Sequence, residues 1–275
     1  MEEQRVVMIT GCGSGIGLAL ARELYGRGHD LIVTDVDEAR LRSASRAHFP
    51  ESQQVLLHTL DVRDAAAWEG LMARAVSRFG RLDVLLNVAG FLVARWCHET
   101  TVEDVGLTID VNVKGVIFGT NAAARVMIER GAGHVINVAS LAALVPVPGL
   151  SVYSASKHAV RAFSIAAAEE LRTHGVFVTV VCPGLVRTAM MDVQLHRPEA
   201  ALTFSAPRPL EPEEVVTAIL DRAMVHRPRE LTITVPRSGQ APMARLVGAM
   251  PELATWLQPI ITRLGRHNQR RLREP

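Results

Sequence analysis

The sequence predicts a doubly wound α/β fold, in which one parallel sheet of about seven strands is covered by helices on both faces. Short runs of Val, Ile and Leu alternate along the chain with helix-length segments, and a glycine-rich turn follows the first run. Runs that are apolar throughout are typical of strands buried on both faces of a sheet. With 275 residues, 48% of them hydrophobic, the chain can bury the core of one such domain and is unlike a disordered protein.

The predicted elements alternate strictly, which implies right-handed β-α-β crossovers. Strands are predicted over residues 5–10, 30–35, 54–60, 82–87, 133–139, 176–182 and 230–235. Helices are predicted over residues 15–28, 37–48, 64–79, 101–130, 151–174 and 211–226. The domain should therefore span residues 1–239 and include a substrate lid at about residues 188–212, where no periodicity is clear.

Charge and cysteine content exclude several classes of protein. The 30 basic and 28 acidic side chains give a net charge of +2, too balanced for a dedicated nucleic-acid-binding protein. The 3 cysteines suit a reducing compartment, so we expect a cytoplasmic protein. The longest segment without a charged side chain, residues 131–156, contains prolines and polar residues and does not predict a membrane span. No metal site is predicted.

The turn after the first strand is rich in glycine and reads Thr10-Gly11-Cys12-Gly13-Ser14-Gly15-Ile16-Gly17. Glycines allow a tight turn and a close approach to a ligand, and the helix that follows offers free N–H groups to a pyrophosphate. Because the turn joins a strand to a helix, the pattern favours dinucleotide binding over an ordinary glycine-rich turn. The predicted cofactor residues of this turn are Gly11, Gly13, Ser14, Gly15, Ile16 and Gly17.

The second strand ends in Asp35, close to the distance of about 20 residues expected for a carboxylate that binds the adenosine ribose. A 2′-phosphate would meet this negative charge, and the neighbouring Ser14 and Val36 bring no compensating cation. NAD is therefore favoured over NADP. If Asp35 merely caps the next helix, the same uncompensated acid remains beside the phosphate.

The helix predicted over residues 151–174 places Tyr153 and Lys157 four residues apart, on one face. A cation near a phenol favours the ionised form, so we expect the pKa of Tyr153 to fall below about 10. The chain contains only two lysines among its 30 basic residues, and one of them stands here. Ser140 ends the preceding strand, at the edge of the sheet where ligands bind, and its hydroxyl could contact the same substrate oxygen as Tyr153.

With these motifs in this order, the sequence resembles the short-chain dehydrogenase/reductase family over about residues 5–236. The glycine turn matches its TGxxxGxG motif, and Tyr153 and Lys157 match its YxxxK motif. Asn87-Val88-Ala89-Gly90 matches its NNAG segment with Val in place of the second Asn, and Pro183-Gly184 with Thr188 matches its PGxxxT segment. The resemblance implies a single Rossmann-type domain with Asn112, Ser140, Tyr153 and Lys157 as the catalytic residues.

The resemblance also implies a role for each catalytic residue. Tyr153 would be the acid/base, Ser140 would position the substrate oxygen, and Lys157 would tune Tyr153 and bind the nicotinamide ribose. Asn112 would hold a water that links Lys157 to solvent. The remaining cofactor contacts that the family implies are Asp61, Val62, Asn87, Ala89, Gly90, Pro183, Gly184, Val186 and Thr188.

The activity predicted on this basis is NAD-dependent interconversion of a secondary alcohol and its ketone. The alternatives are dehydratase or epimerase chemistry in the same family, and a non-catalytic NAD-binding scaffold or sensor. The apolar residues expected around the cleft favour a hydrophobic substrate, although core packing would explain any one of them. They are Phe91, Leu92, Val93, Trp96, Leu141, Leu144, Val145, Val147, Pro148, Leu150, Met190, Met191, Val193 and Leu195.

Residues 240–275 extend beyond the family pattern. An apolar stripe predicts a helix there, with a kink or break at Pro259. We expect the helix to dock on its own domain or on a partner subunit, near the substrate cleft; weak association with an anionic membrane surface is the alternative. The basic last dozen residues are expected to be disordered. The stripe consists of Leu253, Trp256, Leu257, Ile260, Ile261 and Leu264.

The resemblance further implies a homodimer or homotetramer. In the family the fourth and fifth helices pair between subunits. The fifth helix here carries small apolar residues at helical spacing, which either meet a partner or face the sheet of their own domain. These residues are Ala159, Val160, Phe163, Ala167 and Leu171.

Overall fold

The structure is a computed structural model that describes residues 3–49 and 53–273. Within these residues, seven parallel strands form one sheet in the order β3-β2-β1-β4-β5-β6-β7. The doubly wound sheet predicted from the sequence is therefore confirmed, and each strand lies within two residues of its predicted bounds. The strands are β1 Val6–Thr10, β2 Asp30–Asp35, β3 Val55–Thr59, β4 Val84–Asn87, β5 Gly133–Val138, β6 Val176–Pro183 and β7 Glu230–Ile233.

Helices cover both faces of the sheet. Two segments predicted as single helices each consist of two helices joined by a π-helical turn. The turns are Asp110–Lys114, between α4 and α5, and Ile219–Ala223, between α8 and α9. The helices are α1 Gly15–Gly26, α2 Glu38–His48, α3 Ala65–Phe79, α4 Val102–Ile109, α5 Gly115–Arg130, α6 Ser151–Arg172, α7 Ala189–Leu195, α8 Pro212–Ala218, α9 Met224–His226, α10 Gln240–Ala249 and α11 Pro251–Arg273.

The core consists of two apolar layers, one on each face of the sheet. Successive residues of β1 face opposite sides, because side chains alternate along a strand. Val7 and Ile9 pack with Leu20 on the α1 and α8 side, whereas Val6 and Met8 belong to the layer of α3, α5 and α6. Both faces of β1 are buried, which explains why this strand is apolar throughout.

The apolar stripe of α6 lies largely within its own domain. Val160 and Ala167 are buried, and Phe163 and Leu171 pack against the core of the same chain. Of the two alternatives left open by the sequence, the structure favours packing on the domain's own sheet for these residues. The stripe therefore gives no separate support for an interface.

The C-terminal segment forms two helices, α10 and α11. Of the kink or break predicted at Pro259, the break is wrong: the backbone leaves the helical conformation at Met250 (φ −130°, ψ 81°), and α11 continues through Pro259. Pro259 lies on the exposed side of α11. No helix of the described part of the chain is long and apolar enough to cross a membrane.

The contact face of α11 also differs from the predicted apolar stripe. Trp256 and Ile260 are 81% and 69% exposed, whereas Gly265 and Gln269 are buried against the segment 198–205. The predicted disorder of the basic end is wrong for the described residues, since α11 extends to Arg273 and its polar side chains bind carbonyl groups of the lid. Residues 274 and 275 lie outside the described residues.

Candidate active site

The glycine turn between β1 and α1 is shaped by contacts that only glycine permits. A Cβ atom at Gly17 would lie 2.2 Å from the carbonyl oxygen of Gly11, and Gly11 and Gly15 adopt φ values of +73° and +57°. The hydroxyl of Thr10 accepts hydrogen bonds from the backbone N–H groups of Val88 and Ala89, both at 3.0 Å. These contacts fix the turn against the end of β4 and hold the backbone close to the cleft.

The N-terminus of α1 has the features of an anion site. The side chain of Ser14, the N-cap residue, makes no capping hydrogen bond, and the first turn of the helix contains no acidic residue. The first N–H groups of a helix have no partner within it, and the helix dipole places partial positive charge there. The structure thus fits a bound pyrophosphate at this position, as the sequence predicts.

Asp35, at the end of β2, lies at the far side of the turn. Its Oδ2 atom accepts a hydrogen bond from the backbone N–H of Gly13 at 2.8 Å, and its Oδ1 atom accepts one from that of Asp37 at 3.0 Å. Gly13 does not itself line the cleft; it orients Asp35, which does. The carboxylate is therefore held in place where the adenosine ribose is expected.

Arg40 lies at this site beside Asp35, although it is not among the predicted cofactor-binding residues. It belongs to α2, its Nε atom lies 3.6 Å from a carboxylate oxygen of Asp37, and it lines the cleft beside Asp35. Its Cδ atom lies 2.8 Å from where a Cβ of Gly13 would be. Side chains of a helix point back toward its N-terminus, which is how α2 brings a cation to this end of the cleft.

Asp61 and Val62 follow β3 and both line the cleft, as predicted. Arg63 donates a hydrogen bond to Asp61 at 2.5 Å, and this bond holds the pKa of the Asp61 carboxyl below its usual range. Val62 packs against α5, since a Cβ at Gly115 would lie 2.7 Å from its Cγ2 atom. The adenosine end of the cleft therefore contains two acids, each with an arginine nearby.

Ser140, Tyr153 and Lys157 meet at the ends of β5 and α6. The hydroxyl of Ser140 lies close enough to the phenol of Tyr153 to affect its pKa, and it accepts a hydrogen bond from the backbone N–H of Ala142 at 3.2 Å. The Nζ atom of Lys157 donates to the carbonyl oxygen of Val138 at 3.0 Å and lies 5.6 Å from the centre of the Tyr153 ring. The structure thus brings these three predicted residues together in the cleft.

The pKa values of this group differ from the expectation. Burial raises the pKa of Tyr153 to about 12, and the Ser140 hydroxyl offsets only part of that effect. Burial also lowers the pKa of Lys157 to about 8. The predicted lowering of the Tyr153 pKa by Lys157 is therefore wrong for this structure, because loss of water around the phenol raises the pKa more than the neighbouring Ser140 hydroxyl lowers it.

Asn112 is fully buried in the π-helical turn and does not line the cleft. Its Oδ1 atom accepts from the backbone N–H of Phe91 at 2.7 Å, and its Nδ2 atom donates to the Phe91 carbonyl at 2.8 Å and to Ser156 Oγ at 3.0 Å. Protein groups therefore occupy the side-chain amide of Asn112. In this arrangement Asn112 ties the loop after β4 to α6, beside Lys157.

Asn87 was expected to line the cofactor cleft, and the structure contradicts this. The side chain is 3% exposed and lies within the sheet, where its Nδ2 atom donates to Asn137 Oδ1 at 2.9 Å. Asn137 in turn donates to Ser164 Oγ on α6 at 3.0 Å. Asn87 therefore connects the sheet to the helix that carries Tyr153, whereas Ala89 and Gly90 do line the cleft.

The end of β6 supplies the opposite wall of the cofactor part of the cleft. Pro183, Gly184, Val186 and Thr188 all line the cleft, as predicted. A Cβ at Gly15 would lie 3.2 Å from Thr188 Cγ2, so this segment closes over the glycine turn. The start of the lid is thus adjacent to the predicted cofactor site.

The glycine turn, the group of Ser140, Tyr153 and Lys157, and the predicted lid surround one continuous cleft of about 1160 Å³. Nine of the apolar residues predicted for its walls line it: Phe91, Leu92, Leu141, Val145, Val147, Pro148, Leu150, Met190 and Met191. The prediction is wrong for five others, which do not line it: Val93, Trp96, Leu144, Val193 and Leu195. Ile261 of the C-terminal stripe also lines the cleft, whereas the contribution of Met243, Ala244 and Val247 on α10 was not predicted.

Known proteins share this architecture. The model of the family described as short chain dehydrogenase matches residues 5–198. The 2-(R)-hydroxypropyl-CoM dehydrogenase of Xanthobacter autotrophicus is 35% identical over 199 residues, which cover 71% of this chain and 80% of that protein.

Two solved structures are similar to this chain. A short chain dehydrogenase/reductase from Burkholderia phymatum in complex with NAD has a TM-score of 0.79 and 27% identity, covering 93% of this chain and 95% of that one. Serine dehydrogenase complexed with NADP+ has a TM-score of 0.74 and 32% identity, covering 83% of this chain and 94% of that one.

The family match includes the strands and motifs that form the cleft, from β1 to the start of the lid. Members of the family bind a nicotinamide cofactor, and the two similar structures contain NAD in one case and NADP in the other. The resemblance seen in the sequence is thereby confirmed: this chain is an oxidoreductase of the short-chain dehydrogenase/reductase family.

Proposed function

We propose that the protein interconverts a hydrophobic secondary alcohol and its ketone, with NAD as its cofactor. The observation that carries the proposal is the meeting of Ser140, Tyr153 and Lys157 in the same cleft as the glycine turn. A proton-transferring phenol beside a dinucleotide site is the arrangement that alcohol oxidation requires.

The groups that would hold NAD are distributed along one side of the cleft. The N–H groups at the start of α1 would bind the pyrophosphate, Asp35 the adenosine ribose, and Lys157 the nicotinamide ribose. When bound, the nicotinamide supplies the hydride chemistry, which no side chain of the chain can provide. Thr188, at the start of the lid, would contact the carboxamide.

Tyr153 is the proposed acid/base. In alcohol oxidation its phenolate oxygen would take the proton of the substrate hydroxyl, and in ketone reduction its phenol would return a proton to the carbonyl oxygen. Ser140 lies close to the same phenol and would hold the substrate oxygen between the two hydroxyl groups. Lys157, a cation near the ring, would favour the phenolate during oxidation. Asn112 is proposed to act indirectly, by positioning the loop and helix around Lys157.

The walls beyond Tyr153 favour an apolar substrate. Val147 and Leu150 are buried next to Tyr153, and Met190 packs against the same cluster. Methionine side chains adapt to irregular apolar ligands. A hydrophobic body would therefore bury its surface here without leaving a polar group of its own unpaired.

The proposal is tested by following NADH formation with a panel of secondary alcohols, with NADP in parallel. Hydrophobic secondary alcohols are expected to be oxidised faster than polyols. Faster turnover of polyols would contradict the proposed substrate class. Tight NAD binding without turnover of any alcohol or ketone would instead favour the non-catalytic scaffold or sensor.

Asp35→Ala is expected to narrow the preference for NAD over NADP. The carboxylate is fixed by Gly13 and would repel a 2′-phosphate, whereas Arg40 on the same side would attract it once the acid is removed. Kd values for both cofactors, measured by titration, check this. The matched control is Asp221→Ala on the π-helical turn after α8, away from the cleft, which should leave the ratio of the two Kd values unchanged. Equal affinities in the unmodified protein would show that Arg40 already neutralises the phosphate.

The two directions of the reaction are expected to depend differently on pH. Ketone reduction needs the protonated phenol, which a pKa of about 12 maintains, so its kcat/KM should stay nearly constant between about pH 7 and 9. Alcohol oxidation needs the phenolate, whose small fraction increases with pH below that pKa, so its kcat/KM should rise over the same range. The rise should be less steep above the Lys157 pKa of about 8, where the charge that favours the phenolate is lost. Profiles of kcat/KM in both directions check this; oxidation that becomes slower over that range would contradict it.

The assembly and location are also proposed. A homodimer or homotetramer is proposed from the family alone, since the apolar residues of α6 pack against the core of their own domain. A reducing, cytoplasmic location is supported by Cys12, Cys97 and Cys182, which are all free thiols.

A further inference from the structure

Two polar atoms of the lid stand out in the otherwise apolar substrate part of the cleft. Gln194 Oε1 on α7 and Thr203 Oγ1 in the segment 198–205 are both buried, and neither has a hydrogen-bond partner among the described residues. Both residues line the cleft. We call these two atoms the lid subsite.

The orientation of the Gln194 amide is fixed by its other half. Nε2 donates to the carbonyl oxygen of Met190 at 3.0 Å, and because a carbonyl can only accept, the nitrogen must face it. The unpartnered atom is therefore an acceptor. With the side chain only 3% exposed, water has little access to satisfy it.

Buried polar atoms without a partner are rare in folded proteins, because each has lost its hydrogen bonds to water without replacement. Leu202 beside Thr203, and Met190 and Met191 on α7, give the surroundings an apolar character. A ligand group that hydrogen-bonds to the lid subsite would remove this deficit. An entirely apolar ligand would leave it in place.

The docked C-terminal helix holds both residues in position. Gln269, itself 3% exposed, donates to the carbonyl of Gln194 at 3.0 Å and to that of Arg197 at 2.8 Å. Asn268 donates to the carbonyls of Phe204 at 3.0 Å and Ala206 at 2.9 Å, on the segment that carries Thr203. The lid subsite is thus attached to α11 from behind and is pre-organised rather than free to turn away.

The charge around the lid subsite limits the ligand further. The acidic residues that line the cleft are Asp35 and Asp61, both at the adenosine end. An ammonium group at the lid would have no carboxylate to pair with, and burying it would be costly. A neutral hydroxyl suits either atom, because it can donate to Gln194 Oε1 or accept from the hydroxyl of Thr203.

We propose that the substrate is an apolar alcohol or ketone with a second hydroxyl group, remote from the reacting carbon, which binds the lid subsite. This inference rests on the proposed function for the identity of the reacting group. Gln194 and Thr203 are then specificity-determining residues.

The test compares ligands that differ only in the second hydroxyl. The probes are 4-phenylbutan-2-one and its three isomers with a hydroxyl at the ortho, meta or para position of the ring, titrated calorimetrically into the protein with saturating NAD. One isomer is expected to bind about tenfold more tightly than the unsubstituted ketone. In Gln194→Met and in Thr203→Val, two substitutions of similar size, this ratio should fall toward one while the affinity for the unsubstituted ketone stays nearly constant.

Gln258→Met is the matched control, because Gln258 is an exposed glutamine of α11 at the same cleft. In this variant the ratio of the affinities for the hydroxylated and the unsubstituted ketone should equal that of the unmodified protein. Equal binding of all four ketones, or a preference that survives both lid substitutions, would overturn the proposal. Turnover is measured separately. If a hydroxylated ketone binds more tightly but NADH reduces none of the ketones, the result would support the lid subsite and contradict the proposed function.

Discussion

Tyr153→Phe is expected to lower kcat/KM by about 100- to 10,000-fold, while the Kd of NAD remains unchanged. The substitution removes only the hydroxyl that would transfer the proton; the ring stays packed against Val147 and Leu150, and Lys157 keeps its bond to Val138. Steady-state kinetics and cofactor titration measure the two quantities.

Tyr25, the only other tyrosine of the chain, offers a matched control for this substitution. Tyr25 lies on α1 and packs edge-on against Phe49 at 5.4 Å, away from the cleft. Tyr25→Phe should leave kcat/KM within about twofold of the original. Full activity in Tyr153→Phe would exclude Tyr153 from the proposed role.

Gly265→Leu should raise the KM for apolar alcohols more than about tenfold, with little change in NAD affinity. A Cβ at Gly265 would lie 2.0 Å from the carbonyl oxygen of Ala201, so α11 must move away from the lid segment. That movement would break the hydrogen bonds of Asn268 and Gln269, which hold the lid. The cofactor end of the cleft is formed by other elements and should be unaffected.

Gly70→Leu is the control, because a Cβ at Gly70 on α3 would meet no atom within 4 Å. It should leave both KM and cofactor affinity unchanged. Truncation after Gly239, which removes α10 and α11 together, should reproduce the effect of Gly265→Leu. Unchanged KM in both C-terminal variants would show that the docked helices do not shape the substrate site.

The sheet could be predicted well because its signal is local. Runs such as Val6–Thr10 and Val176–Pro183 are apolar throughout, and burial on both faces of a parallel sheet requires just that. The glycine turn was equally visible, since a close approach such as that of Gly17 to Gly11 excludes every other residue. In both cases one physical constraint acts on a few adjacent residues.

Other features depend on contacts between distant segments and could not be predicted in the same way. Asn87 and Asn112 belong to family motifs, but the sequence does not show that their amides bind Asn137 and Phe91 in the interior. The pKa of Tyr153 depends on how completely the folded chain buries the phenol. A pair of residues four apart predicts a shared helix face and says little about desolvation.

The contact face of the C-terminal helix α11 also could not be predicted from the sequence. Periodicity predicted a helix correctly, but the contact face was inferred from apolar residues, whereas α11 docks through Gly265, Asn268 and Gln269. Amide side chains can bind exposed carbonyl groups of a lid, which apolar side chains cannot. Trp256 and Ile260 remain exposed on the other side of the helix.

In the proposed reaction, the cleft oxidises a secondary alcohol by transfer of a hydride to a nicotinamide cofactor. The most direct measurement uses a hydrophobic secondary alcohol that carries deuterium on the carbinol carbon, incubated with the protein and NAD and analysed by mass spectrometry. The deuterium is expected to appear in the reduced dinucleotide, and Tyr153→Phe is expected nearly to abolish this transfer. Reduced dinucleotide without the label, or bound NAD that takes up no label from any alcohol tested, would contradict it.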